Sequence, residues 1–319
     1  MRIVMMGTGP FAVPTFQSLL ASADHEVPAL ITRPPRGSGK KAPPPNPMQL
    51  VAEAAGLRVE MPDSIKSDEA NALLDELAAD LFVVCDYGQI LSNENLAKAR
   101  LGGINLHASL LPAYRGAAPI NWAIFDGCKE SGITVIHMTP KLDGGPMLVQ
   151  TVIPIEPAET TEQLEPRMAD IGVAAVNQSI EMLSTWDGEA KIGTIQDKSA
   201  ATKAPRLKKS DGNIDWTRTA DQIVDQFRAF QPWPGTFTHW LPSEEKTKPL
   251  RVVLAGITAV ACDPQTPGTA VATESGLHIA TGDGAVSVEQ IQPAGKKLMP
   301  IDAFLRGYRV QPGDAFGNP

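Results

Sequence analysis

The sequence predicts an α/β protein in two parts, an open doubly wound domain built on a parallel sheet and then a smaller all-β domain. Three observations carry this reading. Short apolar runs rich in Val and Ile recur through the first half with helical patterns between them, as expected of parallel strands buried on both faces. From about residue 187 the periodicity stops, and 191–210 is polar and basic. Beyond one more helix come short β-type runs divided by Pro, Gly and Asp turns, the pattern of a small barrel or sandwich. With 319 residues, 43% hydrophobic and 20% charged, the chain can build both cores, and wholesale disorder is excluded.

Taken in order, strands are expected at 3–6, 27–31, 81–85, 103–106 and 133–138. A helix over 14–21 follows the first. Another starts after Ser67, where Asp68 and Glu69 favour the positive helix N-terminus and Ala70, Leu73, Leu74 and Leu77 form one apolar stripe. A longer helix follows Thr160 and Thr161 towards Trp186. In the second part a helix over 219–230 turns Ile223, Val224 and Phe227 inward, and strands are expected at 236–240, 250–257, 268–272, 276–280 and 285–291. Trp216, Trp233 and Trp240 are read as packing this domain. The resulting division is 1–190, a linker over 191–210, and 211–319.

Cys85, Cys128 and Cys262 are odd in number and far apart, which excludes a disulfide framework and shows no zinc-ligand spacing. No metal site is expected. No run approaches the length of a membrane span, and a signal-peptide pattern is lacking at the start, so a cytoplasmic protein is expected; a monomer is expected as well. The net charge is −8, made up of −9 in residues 1–200 and +1 in residues 201–319. Basic residues cluster even so: Arg33, Arg36, Lys40 and Lys41 in one stretch, Lys203, Arg206, Lys208 and Lys209 in another. Each cluster is a solvated loop or a contact for a polyanion.

Two places carry chemistry. Gly7-Thr8-Gly9-Pro10-Phe11-Ala12 lies between a strand and a helix and fits a dinucleotide fingerprint, with Arg33 placed to meet a 2′-phosphate. On these residues alone an NAD(P)-dependent oxidoreductase stays open, although Pro10 removes an amide from the helix N-terminus. The stronger signal is Asn105-x-His107 at the end of a strand, where alternation puts both polar side chains on one side. The carboxyl edge of a parallel sheet is where open α/β proteins place ligands. Lys141-Leu142-Asp143-Gly144-Gly145-Pro146 is expected to leave the strand at 133–138 for the same edge. Asn, His and Asp on one carbonyl suit acyl transfer to an amine: Asn105 and protonated His107 donating to an oxyanion, Asp143 handling the amine proton. No Ser or Cys with an attendant base is evident, so direct transfer is expected.

Asn105-x-His107, Ser109-Leu110-Leu111-Pro112-x-x-Arg115-Gly116 and Leu142-Asp143-x-Gly145 together resemble the folate-dependent formyltransferases. Gly116-Ala117-Ala118-Pro119-Ile120, Ala204-Pro205-Arg206-Leu207, Ile214-Asp215-Trp216 and Arg228-Ala229-Phe230-Gln231-Pro232-Trp233-Pro234-Gly235 are similar to the methionyl-tRNA-specific branch of that family. The resemblance runs from Arg2 to about Gly307. It implies a Rossmann-like catalytic domain, an OB-like barrel that helps hold tRNA, 10-formyltetrahydrofolate as donor and methionyl initiator tRNA as acceptor. It also implies catalytic roles for Asn105, His107 and Asp143 and folate contacts at Ser109, Leu110, Leu111 and Pro112. Both basic clusters become tRNA contacts. The nearest alternative within this chemistry is a sugar-nucleotide formyltransferase. Several positions depart from the family's usual pattern: Gly9-Pro10 where it commonly has Pro-Asp, Pro146 where it has Asp, Asp86 near the expected pterin pocket where it has a small or apolar residue, and a shortened loop over Arg33–Lys41 with Ser38 at an often basic place.

Overall fold

A computed structural model describes residues 1–35, 44–243, 248–273 and 276–319. It divides into two compact units. The first comprises Met1–Ile120, Glu130–Ile155 and Gln163–Arg206; the second comprises Leu207–Pro319 with Asn121–Lys129 and Glu156–Glu162.

In the first unit, β1 (Ile3–Gly7), β2 (Ala29–Ile31), β3 (Arg58–Glu60), β4 (Leu81–Cys85) and β5 (Gly103–His107) pair in parallel in the order β3-β2-β1-β4-β5. β1, β2 and β4 are buried along their whole length, which is why they read as unbroken apolar runs. β3, only partly buried and carrying two charged side chains, gives no such signal. β6 (Arg115–Gly116) pairs in parallel with β9 (Lys203–Ala204). The segment before β9 is fastened to the same unit by reciprocal backbone bonds of 2.8 Å between Met147 and Thr194.

The remaining strands correct one expectation. β7 (Glu130–His137) runs antiparallel to β5, and β8 (Met147–Pro154) runs antiparallel to β7. Thr134 lies opposite His107 and His137 opposite Ile104, so β7 ends at the amino edge of β5. The physical reason is the connection. A parallel return needs a crossover that carries the chain back to its starting edge; here residues 108–129, which hold loop, the two-residue β6 and the seven-residue α5 (Pro119–Phe125), bring the chain back into the sheet beside the carboxyl end of β5 instead.

The other helices of this region are α1 (Val13–Ala21), α2 (Pro47–Ala54), α3 (Asp68–Leu77), α4 (Asn93–Leu96) and α6 (Thr161–Ser184). The Ser67 side chain caps α3 by accepting from Ala70 N at 3.2 Å. Ala70, Leu74 and Leu77 then pack with Phe82 and Val84 of β4 on one sheet face. α6 covers the other face. Gly172 permits this: a Cβ there would lie 2.7 Å from Leu106 Cδ2. Leu106 therefore points towards α6, and alternation sends Asn105 and His107 to the opposite side.

The second unit holds α7 (Ala220–Ala229), β10 (Thr236–Leu241), β11 (Leu250–Val260), β12 (Ala270–Thr273), β13 (Gly276–Ala280), β14 (Ala285–Pro293), β15 (Met299–Pro300), α8 (Ile301–Gly307) and β16 (Ala315–Gly317). Its sheet is antiparallel, in the order β12-β13-β14-β11-β10-β16, with β15 on β14. Thr269 bridges Ala315, so the two ends of this order meet. α7 is bounded by a capping box between Thr219 and Gln222. Ile223 enters the core beside Trp216 and Trp240, with Val224 and Phe227 partly buried against it. Trp233 does not follow the packing expected of it: it is 55% exposed, on the turn between Pro232 and Pro234.

Asp314 ties the end of the chain to this core. Its carboxylate accepts from Trp240 Nε1, Ser243 N and Oγ, and Gln311 N at 2.9–3.0 Å. Burial pushes its pKa up, but the hydrogen bonds from Gln311, Ser243 and Trp240 outweigh burial and hold it below the usual carboxylate range. A depressed pKa stabilises the fold above the ordinary value, and that stability is lost as pH falls through the folded value. Asp314→Asn is expected to destabilise the protein by about 2 kcal/mol at neutral pH. In urea melts the deficit should begin to shrink below about pH 4, the ordinary carboxylate value, and keep shrinking as pH falls through the lower folded value.

Candidate active site

The site is built on the carboxyl end of β5. His107 is 6% exposed, and its Nε2 lies 2.9 Å from Tyr114 O. A carbonyl only accepts, so that nitrogen carries hydrogen and Nδ1 is the ring atom turned to the reaction. Nδ1 stands 3.8 Å from Asp143 Oδ2, beyond hydrogen-bond range. Asn105 lies two residues back on the same side of β5, and its amide makes no hydrogen bond among the described residues. The site thus presents one uncommitted amide, one imidazole nitrogen and one carboxylate.

Because β7 ends at the amino edge of β5, the loop from β7 to β8 must travel back along the sheet to bring Asp143 to His107. Its path is set by close backbone approach. A Cβ on Gly145 would stand 1.9 Å from His137 O, so only glycine fits there. Asp143 has φ 46°, a left-handed conformation that aspartate adopts more readily than most residues. Its Oδ2 accepts from Gly116 N at 2.9 Å, so the carboxylate is committed to a second loop and does not cap its own turn. Gln196, at 5% exposure, donates to Asp143 O and Gly145 O at 2.8 and 2.7 Å and accepts from Arg115 Nε and Nη2 at 3.1 and 2.6 Å. The sequence gives no signal for Gln196, a glutamine in an aperiodic stretch.

Ser109, Leu110, Leu111 and Pro112 continue from β5, but they do not all face outward. Ser109 and Leu111 are buried. Ser109 Oγ donates to Ala113 O at 2.7 Å, and Thr134 Oγ1 donates to Ser109 O at 2.7 Å while accepting from Leu111 N at 3.1 Å. Gln150 Nε2 holds Leu111 O at 3.0 Å. Only Leu110 and Pro112 keep partly exposed side chains.

At the carboxyl ends of β1 and β4, where the strand order reverses, lies the switch-point crevice of an open sheet. Arg33 leans over the turn that follows β4: a Cβ on Gly88 would be 3.0 Å from its Nη1. Asp86 has φ 48°, and its Oδ2 would stand 1.8 Å from a Cβ on Gly9. Burial raises the Asp86 pKa while Arg206 opposes the rise; Glu165 on α6 is raised by burial and by Asp86. A carboxyl group therefore sits where a pyrophosphate would approach the glycine turn, and the dinucleotide reading does not fit. Lys203, Arg206, Lys208 and Lys209 are exposed. Arg36, Lys40 and Lys41 lie outside the described residues. Among the described residues no group of three or more His, Cys, Asp or Glu could hold a metal ion, and no helix is long and apolar enough to cross a membrane.

Residues 1–180 match the family model described as formyl transferase, and 206–309 match the formyl transferase C-terminal domain. The methionyl-tRNA formyltransferase of Rhodopirellula baltica is 46% identical across all of this chain and 97% of that protein. The chain belongs to the methionyl-tRNA formyltransferase family. The Moorella thermoacetica member is 41% identical over 99% of both chains. Among solved structures, an N-formyltransferase from Helicobacter canadensis, in complex with folinic acid and dTDP-3-aminofucose, shares the fold. It has TM-score 0.62 and 19% identity over 92% of this chain and 99% of that one. HypX from Aquifex aeolicus with tetrahydrofolic acid aligns at TM-score 0.58 and 16% identity over 96% of this chain and 47% of that one.

Gly9 and Asp86 are coupled by packing, since the Asp86 carboxyl fills the volume a side chain at position 9 needs. Gly9→Ala is expected to cost about 1–2 kcal/mol by overpacking. Asp86→Ala should remove most of that cost, giving a coupling of about 1 kcal/mol in a double-mutant cycle of urea melts. Strict additivity would refute the pairing.

Proposed function

We propose that this protein transfers the formyl group of 10-formyltetrahydrofolate to the α-amine of methionine carried on initiator tRNA. The observation that carries the reading is the convergence of Asn105, His107 and Asp143 at the end of β5, in a chain 46% identical throughout to a methionyl-tRNA formyltransferase. 10-Formyltetrahydrofolate is the co-substrate and brings an activated formyl carbon. The partly exposed Leu110 and Pro112 offer it an apolar contact beside Asn105 and His107, on a loop whose buried members, Ser109 and Leu111, keep its shape.

In this mechanism the acceptor amine attacks the formyl carbon, forming the new C–N bond and placing negative charge on the formyl oxygen. The Asn105 amide and His107 Nδ1–H, when the ring carries that second proton, donate to this oxyanion. The gap of 3.8 Å between His107 and Asp143 tightens as substrates enter. Asp143 takes the amine proton, directly or through one water. Collapse of the intermediate breaks the bond to the folate nitrogen, which receives a proton in turn. No acyl-enzyme forms.

Around this chemistry, the domain division is 1–190, 191–210 and 211–319, with a Rossmann-like first part. The meeting of the two ends of the second sheet at Thr269 and Ala315 supports an OB-like barrel for the last part. Arg33, Lys203, Arg206, Lys208 and Lys209, with Arg36, Lys40 and Lys41, supply phosphate contacts to the RNA. The protein acts as a cytoplasmic monomer. The test is formylation with 10-formyltetrahydrofolate and methionyl initiator tRNA, with uncharged tRNA, methionyl elongator tRNA and a nucleotide-linked amino sugar as controls. Transfer confined to the charged initiator is expected. Transfer to the amino sugar alone would overturn the reading.

A further inference from the structure

We infer that Gln196 is a positioning residue for formyl transfer, the strut that holds Asp143 in register with His107. This rests on the reading of Asp143 as the proton-handling group. Gln196 uses both faces of its amide: Nε2 donates to Asp143 O at 2.8 Å and Gly145 O at 2.7 Å, and Oε1 accepts from Arg115 Nε at 3.1 Å and Nη2 at 2.6 Å. The two loops it joins are those that surround the imidazole. Tyr114, next to Arg115, gives its carbonyl to His107 Nε2, and Gly116, on the other side of Arg115, gives its N–H to Asp143 Oδ2. The bonds close a ring that runs His107, the Tyr114-Arg115-Gly116 turn, Gln196, and Asp143 facing His107 again. Without Gln196 the loops keep the bond from Gly116 N to Asp143 Oδ2.

The chemistry of the position calls for glutamine. Two carbonyls need donors and a guanidinium needs an acceptor, all at 5% exposure. Glutamate lacks the donors, lysine lacks the acceptor, and methionine, of similar volume, lacks both. Asp143 holds a left-handed backbone, φ 46°, which persists when surrounding bonds over-determine it. Its own carbonyl is one of the two that Gln196 caps, so the strut acts at the strained residue itself. Gln196 is also anchored on both sides. Two residues before it Thr194 makes its paired bonds to Met147, and beyond it Thr202 O accepts from Arg115 N at 3.0 Å and Thr202 Oγ1 accepts from Tyr114 N at 2.8 Å. A residue held this firmly can hold its neighbours.

The experiment uses the full-length protein with Gln196→Met, Gln196→Glu and, for reference, Asp143→Asn. It measures kcat and KM for both substrates, thermal melting, and amide hydrogen exchange over 138–147. Displacing a reacting group by about an ångström costs on the order of 100-fold. Gln196→Met is therefore expected to lower kcat by about 10–100-fold with KM values within about threefold, and to speed exchange at Gly144 and Gly145, at temperatures where the variant stays folded. Gln196→Glu is expected to lose at least as much, because a carboxylate would face two carbonyls. If Asp143→Asn is inactive while Gln196→Met keeps kcat within twofold, the strut is overturned and the mechanism stands. If Asp143→Asn itself keeps wild-type turnover, the mechanism falls and the strut falls with it. A loss of melting temperature with kcat unchanged would mark Gln196 as structural only and overturn the inference.

Discussion

Asp143→Asn and His107→Ala are each expected to lower kcat for formyl transfer by about 100- to 10,000-fold, with melting temperature and tRNA affinity close to wild type. Asparagine at 143 keeps an oxygen for the Gly116 N–H, which Asp143 Oδ2 now accepts at 2.9 Å, so the loop has no reason to move while the proton acceptor is gone. Alanine at 107 removes the bond to Tyr114 O and opens a small void, but β5 remains paired to β4 and β7 through its backbone. Both changes act on the reacting atoms and leave the exposed basic residues in place. Filter binding of methionyl initiator tRNA should therefore be unaffected where single-turnover formylation is nearly lost. Wild-type turnover in either variant would remove that residue from the mechanism.

How much of this was legible beforehand depends on what kind of constraint each residue meets. The strands buried on both faces read as plain apolar runs, and the capped helices announced their starts at Ser67 and Thr219. β8 interleaves apolar and polar residues at the edge of the sheet, and β3 is three residues long with two charged side chains; neither stands out from loop by composition. The direction of β7 was not legible because period-two alternation is the same forwards and backwards. Only the path of the connection after β5 decides it, and nothing in its composition states that path. In the site, strand alternation placed Asn105 and His107 together, whereas the partners of Asp143 come from 27 and 53 residues away along the chain. Gly116 contributes a backbone N–H and Gln196 an unremarkable amide, and such groups leave no mark on a sequence. Gly9 and Asp86 were each visible as departures; that one makes room for the other is a fact of geometry alone.

That same dependence on backbone approach makes Gly145→Ala the most damaging change expected for its size. The added methyl would stand 1.9 Å from His137 O and 3.0 Å from His137 C. Those atoms belong to the end of β7, where His137 N donates to Pro146 O at 2.9 Å and Met138 N donates to Gly103 O at 2.8 Å. Neither side of the clash can yield as a flexible side chain would. Either the sheet bonds lengthen or the loop lifts, and lifting takes Asp143 away from His107 and breaks the bond from Gln196 to Gly145 O. Overpacking of this kind costs about 3 kcal/mol, and kcat should fall at least about 100-fold through the displaced carboxylate. Gly144→Ala is the matched control, since its methyl would meet Lys141 Cβ at 3.1 Å, a contact relieved by a few tenths of an ångström, with Arg115 Nη1 and Leu142 O at an ordinary 3.6 Å. It is expected to cost less than about 1 kcal/mol and to keep kcat within several-fold. Urea melts and steady-state formylation on the two variants decide the matter: equal behaviour, or an active Gly145→Ala, would mean that the approach of this loop to β7 does not set the position of Asp143.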